Sequence, residues 1–159
     1  MGTSVQSAVT REPPFGQAGV EYDIGFNDVV SRKATVAIPF GSLVAIIDDV
    51  TCKLPVATGD VTGLDVGIAL RDDTKATGAG YAIDDEVRVL VKGRAYVAVE
   101  GTVVAGAAVF ARFAAGAGGT ALGALRADAD TASAVAIPSA KFVRSNTGAG
   151  VTVVSINQP

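Results

Sequence analysis

Residues 86–100 read EVRVLVKGRAYVAVE. The odd positions, Val87, Val89, Val91, Gly93, Ala95, Val97 and Val99, are small and apolar, while the even positions, Glu86, Arg88, Leu90, Lys92, Arg94, Tyr96, Ala98 and Glu100, are mostly charged or amphipathic. Side chains alternate between two faces only in an extended strand; a helix would scatter these valines around its circumference. The pattern predicts a half-buried β-strand with Gly93 at its midpoint. A two-residue hairpin at Lys92-Gly93 would set Val91 beside Arg94 on one face and break the pattern. A three-residue loop keeps the parity but wants glycine where Arg94 stands. One strand bent at Gly93 satisfies both demands, because glycine suits a place where a sheet must curve. At about 3.3 Å per residue it spans roughly 50 Å, so the other elements are expected to pair with it or cover its valine face.

Further strand patterns lie on both sides. Residues 34–40 (ATVAIPF) and 43–47 (LVAII) precede it, with Pro39 marking an edge or bulge because proline donates no ladder hydrogen bond. Residues 64–70 (LDVGIAL) form another run. Residues 102–112, 134–137, 141–144 and 151–156 supply the strands that follow. Residues 50–60 read as a short strand or loop and residues 74–80 as a loop. Residues 114–133 are a loop rich in Gly and Ala and poor in large apolar side chains, with a possible short helix at 121–127. A local echo recurs three times: Ile38-Pro-Phe-Gly41-Ser-Leu-Val44, Val103-Val-Ala-Gly106-Ala-Ala-Val109 and Tyr81-Ala-Ile-Asp84-Asp-Glu-Val87. Gly takes positive φ freely, and Asp is among the few other residues that tolerate it. Each copy is therefore predicted to be a tight turn or bulge feeding a strand.

Composition excludes several kinds of chemistry. The chain has 159 residues, 49% of them hydrophobic, which fits one domain with a sizeable core. Its net charge of −3 and pI near 4.8 argue against nucleic acid, whose phosphates require excess Lys and Arg. Apolar runs fall short of the ~20 residues of a membrane span. The N-terminal sequence has no basic-then-apolar pattern, so a product used without export is expected. Histidine is absent and Cys52 is the single cysteine. Ser-His-Asp and Cys-His catalysis, His-ligated zinc and intrachain disulfides are thereby removed. The pairs Asp48-Asp49, Asp72-Asp73 and Asp84-Asp85 fall at predicted turns, where Asp is favoured locally, rather than forming catalytic or calcium sites. The run Gly116-Ala-Gly118-Gly119 lacks the later acidic residue and the α/β context of a dinucleotide loop. Catalytic, cofactor and metal residues are therefore all expected to be none. Lys92 and Arg94 read as a solvated face or an interface rim.

Residues 1–27 show no sustained period and are expected to form an extended N-terminal arm ahead of a β domain at 28–159. Pro13-Pro14 enforces a polyproline-like course. Phe15, Val20, Tyr22, Ile24 and Phe26 are spaced apolar residues with too little periodic sequence around them for a core of their own. Val20 to Phe26 alternate with polar or small residues, so this end suits docking as an edge strand, on this chain or a neighbour.

Several stretches resemble the structural cement, or decoration, proteins of tailed-phage capsids. They are Phe15-Gly-Gln-Ala-Gly19, Ala37-Ile-Pro-Phe-Gly41, Gly67-Ile-Ala-Leu70, the Val87 to Val99 strand with central Gly93, and Gly150-Val-Thr-Val-Val-Ser-Ile156. The resemblance implies an all-β domain, jelly-roll-like or a compact barrel or sandwich. It further implies a homo-oligomer, dimer first and trimer as the alternative, on the exterior of the virion capsid after synthesis in the host cytoplasm. Its partner would be the major capsid protein, whose neighbouring subunits it staples, and it brings no catalytic residues. On this reading Pro13, Pro14, Phe15, Val20, Tyr22, Ile24 and Phe26 are candidates for the capsid or oligomer interface. The alternative is a virion fibre or adhesin module that recognises glycans or a host surface.

Overall fold

The computed structural model describes residues 16–23, 25, 27–75 and 80–158. In chain order the elements are β1 (Asp28–Ala34), β2 (Ile38–Pro39), β3 (Leu43–Ile46), β4 (Thr51–Lys53), α1 (Thr58–Thr62), β5 (Asp65–Ala69), β6 (Gly80–Tyr81), β7 (Glu86–Val99), β8 (Ala108–Arg112), β9 (Leu125–Arg126), β10 (Ala134–Phe142) and β11 (Gly150–Ile156). β7 is a single continuous strand of 14 residues. Gly93 within it has φ +139, a conformation that L side chains rarely adopt.

The two halves of β7 serve different partners. The first half pairs with β1 along one edge, from Lys33↔Glu86 to Asp28↔Lys92, and with β5 along the other, at Ile68↔Leu90 and Ala69↔Val89. Pairings β5–β3, β3–β4 and β4–β1 close that half into a ring of five strands. The second half pairs with β11 from Ile156↔Gly93 to Gly150↔Val99, and its end meets β9 at Val99↔Leu125. Pairings β11–β10, β10–β8 and β8–β9 close a second ring. Two small all-β barrels thus share one strand, and closure removes most of the open edges that a sheet of this length would expose.

The valine face divides between two packed clusters at the same point. Val87 and Val89 pack with Ile38, Phe40, Val44, Cys52 and Tyr81. Ala95, Val97 and Val99 pack with Val109, Leu125, Ile137, Phe142, Val154 and Ile156. Leu90, on the otherwise polar face, is fully buried in the larger cluster beside Leu43 and Ile68, so β7 is apolar on both sides there. The first strand begins at Asp28, ahead of the pattern noticed at Ala34. Its adjacent residues Val29 and Val30 pack against different clusters, which erases the period-two signal.

Three turns realise the sequence echo. Gly41, Asp84 and Gly106 have φ of +76, +71 and +83. Each is the third residue of a turn closed by the following N–H: Ser42 to the Pro39 carbonyl, Asp85 to Ala82 and Ala107 to Val104, at 3.3, 3.2 and 3.1 Å. They feed β3, β7 and β8. Residues 50–60, expected as a short strand or loop, hold β4 and the start of α1, which packs on β5 and β10 through buried Val61. Asp60, its third residue, accepts the N–H of Val56 at 2.8 Å and of Ala57 at 3.1 Å, and pairs with Lys53 at 2.8 Å. That carboxylate fixes the start of a helix too short for an apolar period to be visible. The helix suggested at 121–127 is instead a turn leading into β9.

Gly93→Val is expected to lower stability by about 1–3 kcal/mol, the range for a backbone forced outside its allowed region. Thermal melting measures it, at roughly 2–4 °C per kcal/mol for a chain of this size. A melting temperature equal to wild type would contradict the role given to Gly93.

Candidate functional site

Residues 19–22, ahead of β1, are fastened to β7. Residues 17–20 form a turn in which the Val20 N–H donates to the Gln17 carbonyl at 3.1 Å and Gly19 takes φ +85. A side chain at Gly19 would come within 2.7 Å of the Arg71 nitrogen, whose N–H donates to the Gly19 carbonyl at 2.7 Å. Three bonds then run along β7: Gly19 N–H to Tyr96 C=O at 2.7 Å, Tyr96 N–H to Val20 C=O at 2.8 Å, and Tyr22 N–H to Arg94 C=O at 2.9 Å. Glu21 thus faces Ala95 on one edge while Val154 faces it on the other. The segment fills the stretch of edge between β5, which pairs at Leu90, and β9, which pairs at Val99. The chain next crosses β7 at Gly93 and emerges on the opposite edge as β1. A Cβ on Gly93 would collide with Asn27 Oδ1.

This root roofs part of the polar face that the sequence suggested was solvated. Glu21 pairs with Arg88 at 3.3 Å and Asp23 with Arg94 at 3.5 Å. The Asn27 amide donates to Glu21 Oε2 and to the Asp23 carbonyl, both at 2.9 Å. Such partly exposed ion pairs contribute about 0–1 kcal/mol each, so the backbone ladder and the aromatic contact hold the root. Tyr22 meets Tyr96 edge-on with ring centroids 5.5 Å apart. Val20 and Tyr22 remain 38% and 37% exposed; they are brought together on the β7 edge and keep surface for another contact. Pro13, Pro14, Phe15, Ile24 and Phe26 lie outside the described residues.

The Gly/Ala-rich loop encloses a charge cluster that sequence reading missed. Arg112 is fully buried. Its Nε donates to Glu100 Oε1 at 2.8 Å, its second guanidinium nitrogen reaches Glu100 at 2.7 Å and Asp130 at 2.6 Å, and its first donates to the Ala114 carbonyl at 3.1 Å. Arg126 joins through Glu100 and Asp130, each at 3.0 Å, and Asp128 at 2.7 Å. Glycine lets the loop close over these charges: a Cβ on Gly116, Gly118 or Gly119 would collide with Asp130, Arg126 and Glu100 respectively. Asp130, Thr131 and Ala132 all take positive φ, and the Arg112 pair with Asp130 anchors that strained turn. The available signal was four charged residues, Arg112, Arg126, Asp128 and Asp130, beside a segment with few apolar side chains. Nothing in their spacing revealed that they converge.

The paired aspartates act on their own turns. Asp48 accepts the N–H groups of Val50 and Thr51 at 2.8 and 2.7 Å, and Asp72 accepts the Thr74 hydroxyl at 2.7 Å and its N–H at 2.9 Å. Asp85 pairs with Lys75 at 2.8 Å and accepts the Ala82 N–H at 2.8 Å. These bonds hold the three carboxyls below the ordinary Asp value. Cys52 is buried, and desolvation pushes its thiol up to about 11. Among the described residues no group of three or more metal-binding side chains converges, and no helix is long and apolar enough to cross a membrane.

The family model "Structural cement protein (E217 gp24/Pam3 gp6)" matches residues 5–157. The chain belongs to the phage structural cement protein family. A chain of "The capsid of Myoviridae Phage XM1" superposes with a TM-score of 0.71 at 20% identity, covering 98% of this chain and 99% of that one, which shows the shared fold. No curated protein matches. As a cement family member the chain is a structural component of a phage capsid and so of the virion, and the family's role is structural rather than enzymatic.

For this cement protein the Arg112 cluster gives two stability predictions. Arg112→Leu removes the fully buried cation that Glu100 and Asp130 share and leaves Arg126 alone to neutralise both. It is expected to cost about 3–5 kcal/mol, the range for removing one partner of a buried charge pair, measured by denaturant unfolding. The acid dependence follows from Asp130, which bonds to Arg112 and to the Gly118 N–H hold below its ordinary 3.8. A carboxyl depressed in the folded state stabilises fully above its unfolded pKa and loses that contribution as pH falls through the folded value. Stability should therefore decline from about pH 4 downward, and Asp130→Asn should flatten that decline in melts across the acid range.

Proposed function

We propose that this cement protein binds the outer surface of an icosahedral shell as a homo-oligomer, a dimer in the first instance, and staples neighbouring major capsid subunits. The contact arm is residues 1 to about 26, with Pro13, Pro14, Phe15, Val20, Tyr22, Ile24 and Phe26 as its contact residues. The observation that carries this reading is the anchoring of the arm's root. Residues 19–22 hydrogen-bond to β7, the one strand common to both rings, so force applied to the arm enters the middle of the sheet network. Pro13-Pro14 limits the conformational freedom that the arm loses on settling between subunits, which lowers the entropic cost of binding. A shell offers many equivalent gaps, and an oligomer that engages two of them multiplies a weak contact by avidity. The glycan-binding alternative gains no support, because Tyr22 and Tyr96 pack against each other instead of presenting a stacking platform.

Deleting residues 1–14 is expected to leave the circular dichroism spectrum of the β domain unchanged while weakening binding to undecorated shells at least tenfold, about 1.4 kcal/mol. Occupancy by cryo-electron microscopy at matched, subsaturating protein measures this. Equal occupancy would move the contact to the loops of the barrels. Light scattering of the free protein tests preassembly, with a mass above the 15.9 kDa of one chain expected.

A further inference from the structure

The rings leave one edge of β1 open over part of its length. In a strand, the N–H and C=O of successive residues point to opposite sides. Ala34 donates its N–H to Asp85 at 2.9 Å, on the β7 side, and Lys33 donates its own to Val50 at 2.7 Å, on the β4 side. The register with β7 runs unbroken from Val29 to Lys33, so Val29 and Ser31 share the parity of Lys33 and turn their backbone groups away from β7. β4 meets β1 only at Lys33 and Ala34. Among the described residues no backbone group bonds Val29 or Ser31 on that side. The Ser31 carbonyl instead accepts the Arg32 guanidinium at 2.8 Å. A cleft of about 610 Å³ adjoins this stretch, lined by Asp28, Val30 and Arg32 of β1 and by Ile47 and Leu64 among others. Ile47 and Leu64 are 43% and 36% exposed. An open ladder edge beside exposed apolar surface is a template for a further strand.

We propose that β1 of a second copy of this chain pairs antiparallel with this edge, with Val30 on the two-fold axis. This names the contact of the homo-oligomer and rests on that reading. Charge complementarity selects both the occupant and the register. Centred on Val30, Asp28 of each copy stands opposite Arg32 of the other, so the segment Asp28-Val-Val-Ser-Arg32 complements itself. Opposite charges directly across a strand pair stabilise it, and like charges destabilise it. Val29 of each copy then faces Ser31 of the other, both with backbone groups aimed across the edge, and each such pair exchanges two hydrogen bonds. Neighbouring registers lose these contacts. Centred on Ser31, Val29 would face Lys33, whose N–H is already bound to Val50. Centred on Val29, Asp28 would face Val30 and the opposite charges would lie out of step. Residues 28–32 also fit the space available, because β4 occupies the edge beyond them and the chain before them crosses β7. A patch that pairs with its own copy closes a dimer and leaves no edge from which a filament could grow.

Charge exchange tests the contact in the full-length protein. Dimer dissociation is measured by sedimentation over a concentration series at low salt, where exposed charges are least screened. Asp28→Arg and Arg32→Asp each set like charges opposite one another, and each is expected to weaken the dimer at least about tenfold. Combining the two exchanges restores opposite charges in the same register and is expected to bring affinity back to within about threefold of wild type. Circular dichroism checks that every variant is folded. Val30→Cys, on the axis, is expected to form a disulfide between copies under mild oxidation at least about tenfold faster than Val104→Cys on an exposed loop, because directly opposed, non-hydrogen-bonded residues bring their Cα atoms within disulfide reach. Cys52 does not compete, being buried with its thiol raised to about 11. A dimer indifferent to the single exchanges, a double exchange no tighter than the singles, or equal trapping of the two cysteine variants would overturn this contact and leave the homo-oligomer standing. A monomer at every concentration, with no trapping through Val30→Cys, would overturn both. Failure to occupy shells by a dimer that still follows the charge exchanges would overturn the shell reading alone.

Discussion

Everything in this structure depends on one strand serving two barrels. β7 has apolar side chains for two cores, and each half pairs along both of its edges. A strand in that position must change course between the barrels without breaking its ladder. Only a residue without a Cβ allows this at Gly93, where φ is +139 and Asn27 occupies the space a side chain would fill. The bend and the crossing of the N-terminal root coincide at one residue, so local backbone chemistry and global topology cannot be separated there.

The remaining devices keep the two rings closed. Three turns of one type, at Gly41, Asp84 and Gly106, deliver the chain into β3, β7 and β8. The N-terminal root fills the part of the β7 edge that neither β5 nor β9 covers, leaving less backbone open to pairing with other chains. In the second ring, the loop between β8 and β10 has few apolar side chains to bury and is held by ion pairs and hydrogen bonds to Arg112 and Arg126 instead. A buried arginine is costly to desolvate, and its arrangement is favourable here because two carboxylates and a carbonyl satisfy the guanidinium together.

For a capsid structural protein this construction makes physical sense. Closed rings expose few free strand edges, and the paired aspartates cap turns instead of converging on a site. Among the described residues, what is left for contacts is surface: the root with Val20 and Tyr22, the open edge of β1, and the apolar groove beside Tyr81.

The sequence by itself determined β7, its bend and its valine face, because alternation over fourteen residues is a local signal that no other backbone conformation satisfies. It also determined the positive-φ turns and the turn role of the aspartates, since these too are decided within four residues of chain. Tertiary structure alone decided that the strand divides between two barrels, because ring closure joins residues as distant as Asp28 and Lys92. It alone buried Leu90 on the polar face, hid β1 by giving Val29 and Val30 different cores, and gathered Glu100, Arg112, Arg126 and Asp130 into one cluster. Such contacts carry no sequence period. They arise from which surfaces meet once the strands have paired, and that is a property of the whole fold.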